Sequence, residues 1–262
     1  MTNVALVTGV GRRAGLGAAI CRKLAADGFH VVFTWWGSYD SEMPWGKDEQ
    51  TVNELIRELE QNGVKAAAIE ADLERPQAAV EIMKEAEAAM EQAPSVLVNN
   101  AAVSINDHLG NVTAEALDRH YAVNTRAVVL LIQAFAAMLP RGEKGSIVNI
   151  ATGWSKGQMP DELSYVVTKS AAETLVYSIS SQLMKRGIRL NGVNPGPTDT
   201  GWMTEEIKEE LKELFPDKRI GEPEDAARAV AWLAGEEARW ITGQVLHSEG
   251  GFLNRDSPGT EL

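Results

Sequence analysis

The chain has 262 residues, enough to bury a sizeable core as one domain, and its 44% hydrophobic and 24% charged content is ordinary for a soluble globular protein. A net charge of −12 argues against a nucleic-acid partner, which would want a basic face. The single cysteine, Cys21, excludes an internal disulfide, suits a reducing compartment and reads as a small buried helix residue.

The opening MTNVALVTG carries no basic n-region and no cleavage site, so a signal peptide is not expected. Val4 to Val7 is a short strand that runs into TGVGRRAGLG, residues Thr8 to Gly17. A helix follows from Gly15 to Ala26, with Gly28 as its stop. Val31 to Phe33 is the second strand, and a loop with three tryptophans, WWGSYDSEMPWG, covers Trp35 to Gly46. The alternation continues with a helix over Glu49 to Gln61, strand Ala66 to Ile69, helix Gln77 to Met90 and strand Val96 to Val98. A long helix from Thr113 to Met138 precedes strand Ser146 to Ile150, and a helix from Ser164 to Arg186 precedes strand Ile188 to Val193. The loop Thr200 to Lys218, the helix Pro223 to Ala234 and a strand near Gln244 to His247 complete the pattern.

Strands that are apolar on nearly every residue and alternate with helices describe an α/β fold, with a parallel sheet covered on both faces. The apolar run Ala127 to Leu139 is too short to span a bilayer and reads as a buried helix, so a soluble cytoplasmic protein with no membrane partner is expected. No repeat or linker divides residues 1–262, which read as one doubly wound domain of about seven strands. Ligands in such sheets bind beyond the carboxyl ends of the strands, so the residues just after each strand are the ones to examine. The two long loops lie there, either as packed insertions or as ligand contacts.

The opening stretch contains two fingerprints. From Gly9 it reads G-x-G-x-x-A through Gly11 and Ala14, a dinucleotide motif that expects an acid about twenty residues on. From its other end it reads Thr-Gly, five residues, then Gly15-x-Gly17. The first reading fails its own requirement, because Thr34, Trp35 and Trp36 stand where the acid should be.

Tyr165-Val-Val-Thr-Lys169 puts a phenol and an ammonium on one helix face. A nearby cation favours the phenolate and brings a tyrosine toward acid–base work at neutral pH. Six further signals accompany this pair. They are the glycine turn, Asn99-Asn100-Ala101-Ala102, Asn124 in the long helix, Thr152 after the fifth strand, and Asn194-Pro195-Gly196-Pro197-Thr198-Asp199-Thr200 after the sixth, with Glu249-Gly250-Gly251 beyond.

This ensemble, over essentially the whole chain, resembles the short-chain dehydrogenase/reductase superfamily, most closely its 3-oxoacyl-acyl-carrier-protein-reductase-like members. The resemblance implies a Rossmann-type domain, a nicotinamide cofactor and interconversion of a carbonyl with an alcohol. It implies catalytic roles for Tyr165 as general acid or base, for Lys169 in lowering the tyrosine pKa and bonding the nicotinamide ribose, and for Asn124 in holding a water of a proton relay. Thr152 stands for the family's substrate-binding serine and keeps the hydroxyl, with Ser155 as the alternative. Gly9, Gly15, Leu16 and Gly17 form the cofactor turn, with two residues more than the family pattern and Gly11 incidental. Asp72 and Leu73 read as adenine-edge contacts, and Asn100 and Ala101 as cofactor lining. Pro195, Gly196, Thr198 and Thr200 match the segment that grips carboxamide and phosphates. Ala102 departs from the family glycine, at little cost unless the position needs positive φ.

The uncharged Thr34 and Trp35, with Arg12 and Arg13 in the lengthened turn, lead us to expect NADP(H) rather than NAD(H), one of the two arginines taking the 2′-phosphate. The family also implies a homotetramer and a small-molecule carbonyl or alcohol substrate. Trp154, Met159, Trp202, Met203 and Phe215 line an apolar pocket or belong to the core. The four histidines are scattered without metal-ligand spacing, and no metal is expected. Two rival readings are a non-catalytic cofactor sensor, disfavoured by Tyr165 and Lys169, and a non-redox enzyme of the same fold, disfavoured by the intact glycine turn.

Overall fold

The computed structural model describes residues 3–42, 46 and 49–252. Its seven strands are β1 Val4–Val7, β2 His30–Trp35, β3 Ala66–Glu70, β4 Val96–Asn99, β5 Gly145–Ile150, β6 Ile188–Asn194 and β7 Val245–His247. All pair in parallel, in the order β3-β2-β1-β4-β5-β6-β7. The order reverses between β1 and β4, and the crevice at that point is where such sheets take ligands.

The continuous hydrophobicity of the strands is used on both faces, and the period of two decides which residue goes where. Ala5, Val7, Val31, Phe33, Val96, Val98 and Val148 pack with α1 (Leu16–Ala26), α3 (Glu49–Glu60) and α9 (Pro223–Ala234). Val4, Leu6, Val32, Leu97 and Ile147 point the other way, onto α4 (Ala78–Met90), α6 (Val128–Met138) and α7 (Leu163–Met184). Each fully buried aliphatic side chain contributes about 1.5–3 kcal/mol.

Three elements differ from the sequence expectation. Part of the Trp35–Gly46 loop is a short helix, α2 (Gly37–Glu42), while residues 43–45 lie outside the described residues. The Thr200–Lys218 loop contains α8 (Glu205–Lys212), started by the Thr204 hydroxyl accepting the Ile207 N–H. The long helix expected over Thr113 to Met138 is present as a continuous helical stretch, Ala114–Met138, but it is not α-helical throughout: its first part is α5 (Ala114–His120), its centre, Tyr121–Ala127, is π-helical, and the apolar run Ala127–Leu139 forms its end. That stretch is long and apolar enough to cross a membrane by length and composition, but Val123, Ala127, Val128, Leu131, Ile132 and Phe135 pack it into the core, with His120 and Asn124 wholly buried beside them.

Candidate active site

A cleft of about 760 Å³ opens at the carboxyl edge of the sheet, lined by the segments that follow β1 to β6 and by Glu249 and Phe252 after β7. Its floor is stitched across the strand reversal. The Thr8 hydroxyl accepts the Asn100 and Ala101 N–H groups, both at 3.1 Å, and the Asn100 amide donates to the Thr8 and Gly9 carbonyls at 2.8 and 2.9 Å.

Packing explains the glycines of the turn. Gly9 has φ 75°, and a Cβ there would lie 2.5 Å from the Ala101 Cα. A Cβ on Gly17 would meet the Asn100 amide nitrogen at 2.8 Å, and one on Gly15 would meet the Arg12 carbonyl at 3.1 Å. Gly11 is not incidental, contrary to the sequence reading. A Cβ at that position would come 2.8 Å from the Asp40 Cγ and overlap its carboxylate, because α2 lays Asp40 directly on the turn. Ala102, in contrast, is unstrained; the non-glycine residues with positive φ among those described are Glu91 and Lys218.

The two arginines of the turn point in different directions. Arg12 lines the cleft and donates to the Thr200 carbonyl and hydroxyl at 3.3 and 3.2 Å. Burial lowers its pKa, against the opposing fields of Tyr39 and Asp40 beside it. Arg13 instead lies outside the cleft lining, held on α3 by Glu54 at 2.7 Å and Glu58 at 3.7 Å. Its acidic neighbours on α3 hold it outside the cleft.

The second wall comes from β2 and α2. Trp35, Trp36, Tyr39 and Asp40 line it. Tyr39 is held against the Ser104 backbone, and the Arg119 guanidinium sits 6.0 Å from its ring while pairing with Glu42 and Glu74 at 2.8 Å each. Asp72 and Leu73 line the cleft after β3, where Asp72 also accepts the Glu74 N–H at 2.8 Å.

Tyr165 and Lys169 sit one turn apart on α7 and both face the cleft, with Thr152 after β5 beside the phenol. Asp107, which is buried, fixes the start of this helix. Its carboxylate accepts the Ser164 N–H at 2.8 Å and the Ser164 hydroxyl, and its carbonyl accepts the Leu163 N–H at 3.1 Å. The expected depression of the tyrosine pKa is not found in the protein alone. Burial pushes Tyr165 up to about 12, with Glu162 adding to the rise and a Thr152 hydrogen bond opposing it. Burial also pulls Lys169 down to about 8, so its own ammonium is disfavoured. Ser155 is exposed on the Gly153–Lys156 turn outside the cleft lining, which leaves Thr152 as the hydroxyl beside Tyr165.

Asn124 does not line the cleft; it stands behind the wall. Its side chain bonds the Val103 backbone in both directions at 2.8 and 2.9 Å and donates to the Thr168 hydroxyl at 3.2 Å, one residue from Lys169. These bonds lie in the π-helical stretch, a departure from α geometry common at functional sites.

After β6, Pro195, Gly196, Thr198 and Thr200 all reach the cleft. Gly196 has φ 62°, and a Cβ on it would press on the Glu249 Cβ at 2.6 Å. Of the five apolar candidates, Met159 and Trp202 line the cleft, whereas Met203 and Phe215 are buried away from it and Trp154 is partly exposed outside it. Cleft residues that the sequence did not single out include Ser104, Asn106, Lys156, Gln158 and Glu162, while Trp36, Tyr39 and Asp40 lie in or beside the Trp35–Gly46 loop that it marked for ligand contacts. For Glu162 a signal existed in its place three residues before Tyr165.

The arrangement fits a nicotinamide dinucleotide. Gly15 caps α1 with no side-chain hydrogen bond and no acidic residue in the first turn, so backbone N–H groups at a helix N-terminus face a glycine-walled space, a ready seat for a pyrophosphate.

A family model described as enoyl-(acyl carrier protein) reductase matches residues 9–253. The chain is 43% identical over 252 residues to the uncharacterized oxidoreductase YjdA of Bacillus subtilis, covering 95% of this chain and 96% of that one. It is 31% identical over 255 residues to the 3-oxoacyl-[acyl-carrier-protein] reductase FabG of Staphylococcus epidermidis, covering 96% and 99%. Among solved structures, a blue fluorescent protein from a metagenomic library in complex with NADPH superposes with a TM-score of 0.83 at 35% identity, covering 95% and 97%. The glycine turn, the Tyr165–Lys169 face and these matches along nearly the whole length lead to one conclusion: the chain belongs to the short-chain dehydrogenase/reductase superfamily and is an oxidoreductase acting on CH–OH and C=O groups.

Proposed function

We propose that the chain is an NADP(H)-dependent reductase of a ketone or 3-oxoacyl carbonyl, working in the reverse direction as a secondary-alcohol dehydrogenase. The observation that carries this reading is the convergence of Thr152, Tyr165 and Lys169 on one wall of the cleft that the glycine turn opens. Gly9, Gly15, Leu16, Gly17, Asn100 and Ala101 would hold the pyrophosphate and its flanking riboses, Asp72 and Leu73 the adenine edge, and Pro195, Gly196, Thr198 and Thr200 the carboxamide side. When bound, the nicotinamide supplies or accepts the hydride at the substrate carbon.

The remaining steps belong to the chain. The Thr152 hydroxyl orients the substrate oxygen. Tyr165, held protonated by burial, donates its proton to that oxygen as the carbon is reduced, and takes it back in oxidation. Lys169, buried without a hydrogen-bond or ionic partner among the described residues, is free to bond a ribose hydroxyl and stabilise the phenolate left behind. Asn124, whose side chain is engaged with Val103 and with Thr168 beside Lys169, would support a relay water from behind the cleft wall.

Preference for NADP(H) rests on Arg12 inside the cleft and on the absence of an acid at Thr34 to Trp36, and a 35%-identical relative is described with NADPH. Exposed Val129, Val167 and Tyr177 on α6 and α7 supply apolar surface for a homotetramer, and we assign the protein to the cytoplasm. The test is a ketone panel run with NADPH and NADH, with Tyr165→Phe as control. The variant keeps NADPH binding and loses about 10²–10⁴-fold in turnover. Wild-type turnover in Tyr165→Phe, or equal or better kcat/KM with NADH, overturns the acid assignment or the cofactor assignment respectively.

A further inference from the structure

Glu162 immediately precedes α7 and lines the cleft three residues before Tyr165. A carboxylate at the start of a helix ordinarily caps it. Here that role is already taken, since Asp107 receives both the Leu163 and the Ser164 N–H groups. The backbone of Glu162 is fixed from two sides, by an isolated bridge to Asp107 and by its N–H on the Met159 carbonyl at 3.3 Å. Its side chain makes no cap hydrogen bond, and the carboxylate has no hydrogen-bond or ionic partner among the described residues.

The surroundings leave that carboxylate to the substrate. The cation in the turn before Glu162, Lys156, is paired with Glu249 at 3.9 Å. Met159, bonded through its carbonyl to the Glu162 N–H, and Trp202 offer apolar surface in the same cleft. A partly desolvated carboxylate without a partner is unfavourable, and a ligand that brings a donor relieves it. Resting on the carbonyl-reductase reading above, we propose that Glu162 is a specificity-determining residue that selects ketones carrying a protonated amine or a hydroxyl a bond or two from the carbonyl, and disfavours those carrying a carboxylate. The carbonyl would face Tyr165 and Thr152, the donor group would reach Glu162, and the carbon skeleton would lie on Met159 and Trp202. Burial raises the pKa of Glu162, as expected for a carboxyl held in place without a counter-charge.

The test uses three ketones of the same heavy-atom count, aminoacetone, hydroxyacetone and 2-butanone, and the larger keto acid acetoacetate, each reduced with NADPH by the wild type and by Glu162→Gln and Glu162→Ala. A charge-assisted hydrogen bond lost at this position lowers the kcat/KM ratio of aminoacetone to 2-butanone by about 10- to 100-fold, chiefly through KM. The hydroxyacetone ratio falls less, and acetoacetate gains on 2-butanone in both variants. Unfolding temperature and NADPH affinity, measured in parallel, identify a variant that is merely misfolded; the Gln variant then decides on its own. Unchanged ratios in a folded Glu162→Gln overturn the assignment while leaving the reductase reading intact. A wild type that reduces none of the four, and no other ketone, overturns both.

Discussion

Substitution of Gly11 by alanine tests whether α2 rests on the glycine turn. A Cβ on Gly11 would stand 2.8 Å from the Asp40 Cγ, so that atom must withdraw by about 0.6 Å to reach an ordinary 3.4 Å contact, and the carboxylate oxygen further still. Asp40 is buried on a short helix and has little room to yield. Overpacking of this kind costs about 1–3 kcal/mol, which for a chain of this size lowers Tm by roughly 2–12 °C. Because the obstacle is one side chain, Asp40→Ala should remove it. In a double-mutant cycle read by thermal and urea unfolding, Gly11→Ala and Asp40→Ala are expected to couple by about 1 kcal/mol or more, the pair being more stable than the sum of the singles predicts. Gly9→Ala is the control. Its Cβ meets the Ala101 backbone at a φ of 75°, so Asp40→Ala cannot rescue it. Additivity within about 0.5 kcal/mol for the Gly11–Asp40 pair would refute the packing argument.

Thr152→Ser should retain turnover and Thr152→Ala should lose it, read as kcat on one ketone; an alanine variant as active as the parent would move the role to a water. Arg12→Ala should weaken NADPH more than NADH in steady-state kinetics, whereas Arg13→Ala should leave the ratio within about twofold, since an exposed arginine paired on α3 contributes little there. Lys169→Met should abolish turnover yet raise stability below pH 8. The folded-state pKa of about 8 lies under the ordinary lysine value of 10.5, so the unfolded chain binds the extra proton between them. Wild-type stability therefore rises from pH 8 toward 10, by at most about 3 kcal/mol, and the Met variant should lack that slope in Tm measured against pH.

What was legible in the sequence was local. The strand–helix alternation, the Gly9, Gly15 and Gly17 spacing and the Tyr165–Lys169 pair depend on periodicity within a few residues, and periodicity survives folding. Features set by where distant segments meet were not legible. Arg12 and Arg13 are neighbours in sequence, and only the approach of Glu54 and Glu58 on α3 sends one of them away. Gly11 looks dispensable until Asp40, 29 residues on, is laid against it. The π-helical centre of the long helix accompanies the Asn124 bonds to Val103, 21 residues earlier. The raised Tyr165 reflects desolvation, which a helical wheel does not register, and the inference of a lowered value from Lys169 alone left that out.

The capping of α7 by Asp107 divides the walls of the cleft into two kinds. The start of the helix that carries Tyr165, the proposed acid, is anchored at Ser164 by a buried carboxylate 57 residues away in sequence, so its placement is a property of the scaffold. The turn Gly153 to Met159, which reaches the cleft through Gly153, Lys156, Gly157, Gln158 and Met159, is more exposed, with Trp154, Ser155, Lys156 and Gln158 open to solvent and an ion pair of 3.9 Å from Lys156 to Glu249. Mutational drift in that turn can therefore reshape which carbonyl compounds are accepted without disturbing Tyr165, the proposed proton donor. A lineage carrying this architecture can exchange one substrate for another by small steps, each of which leaves a working catalyst.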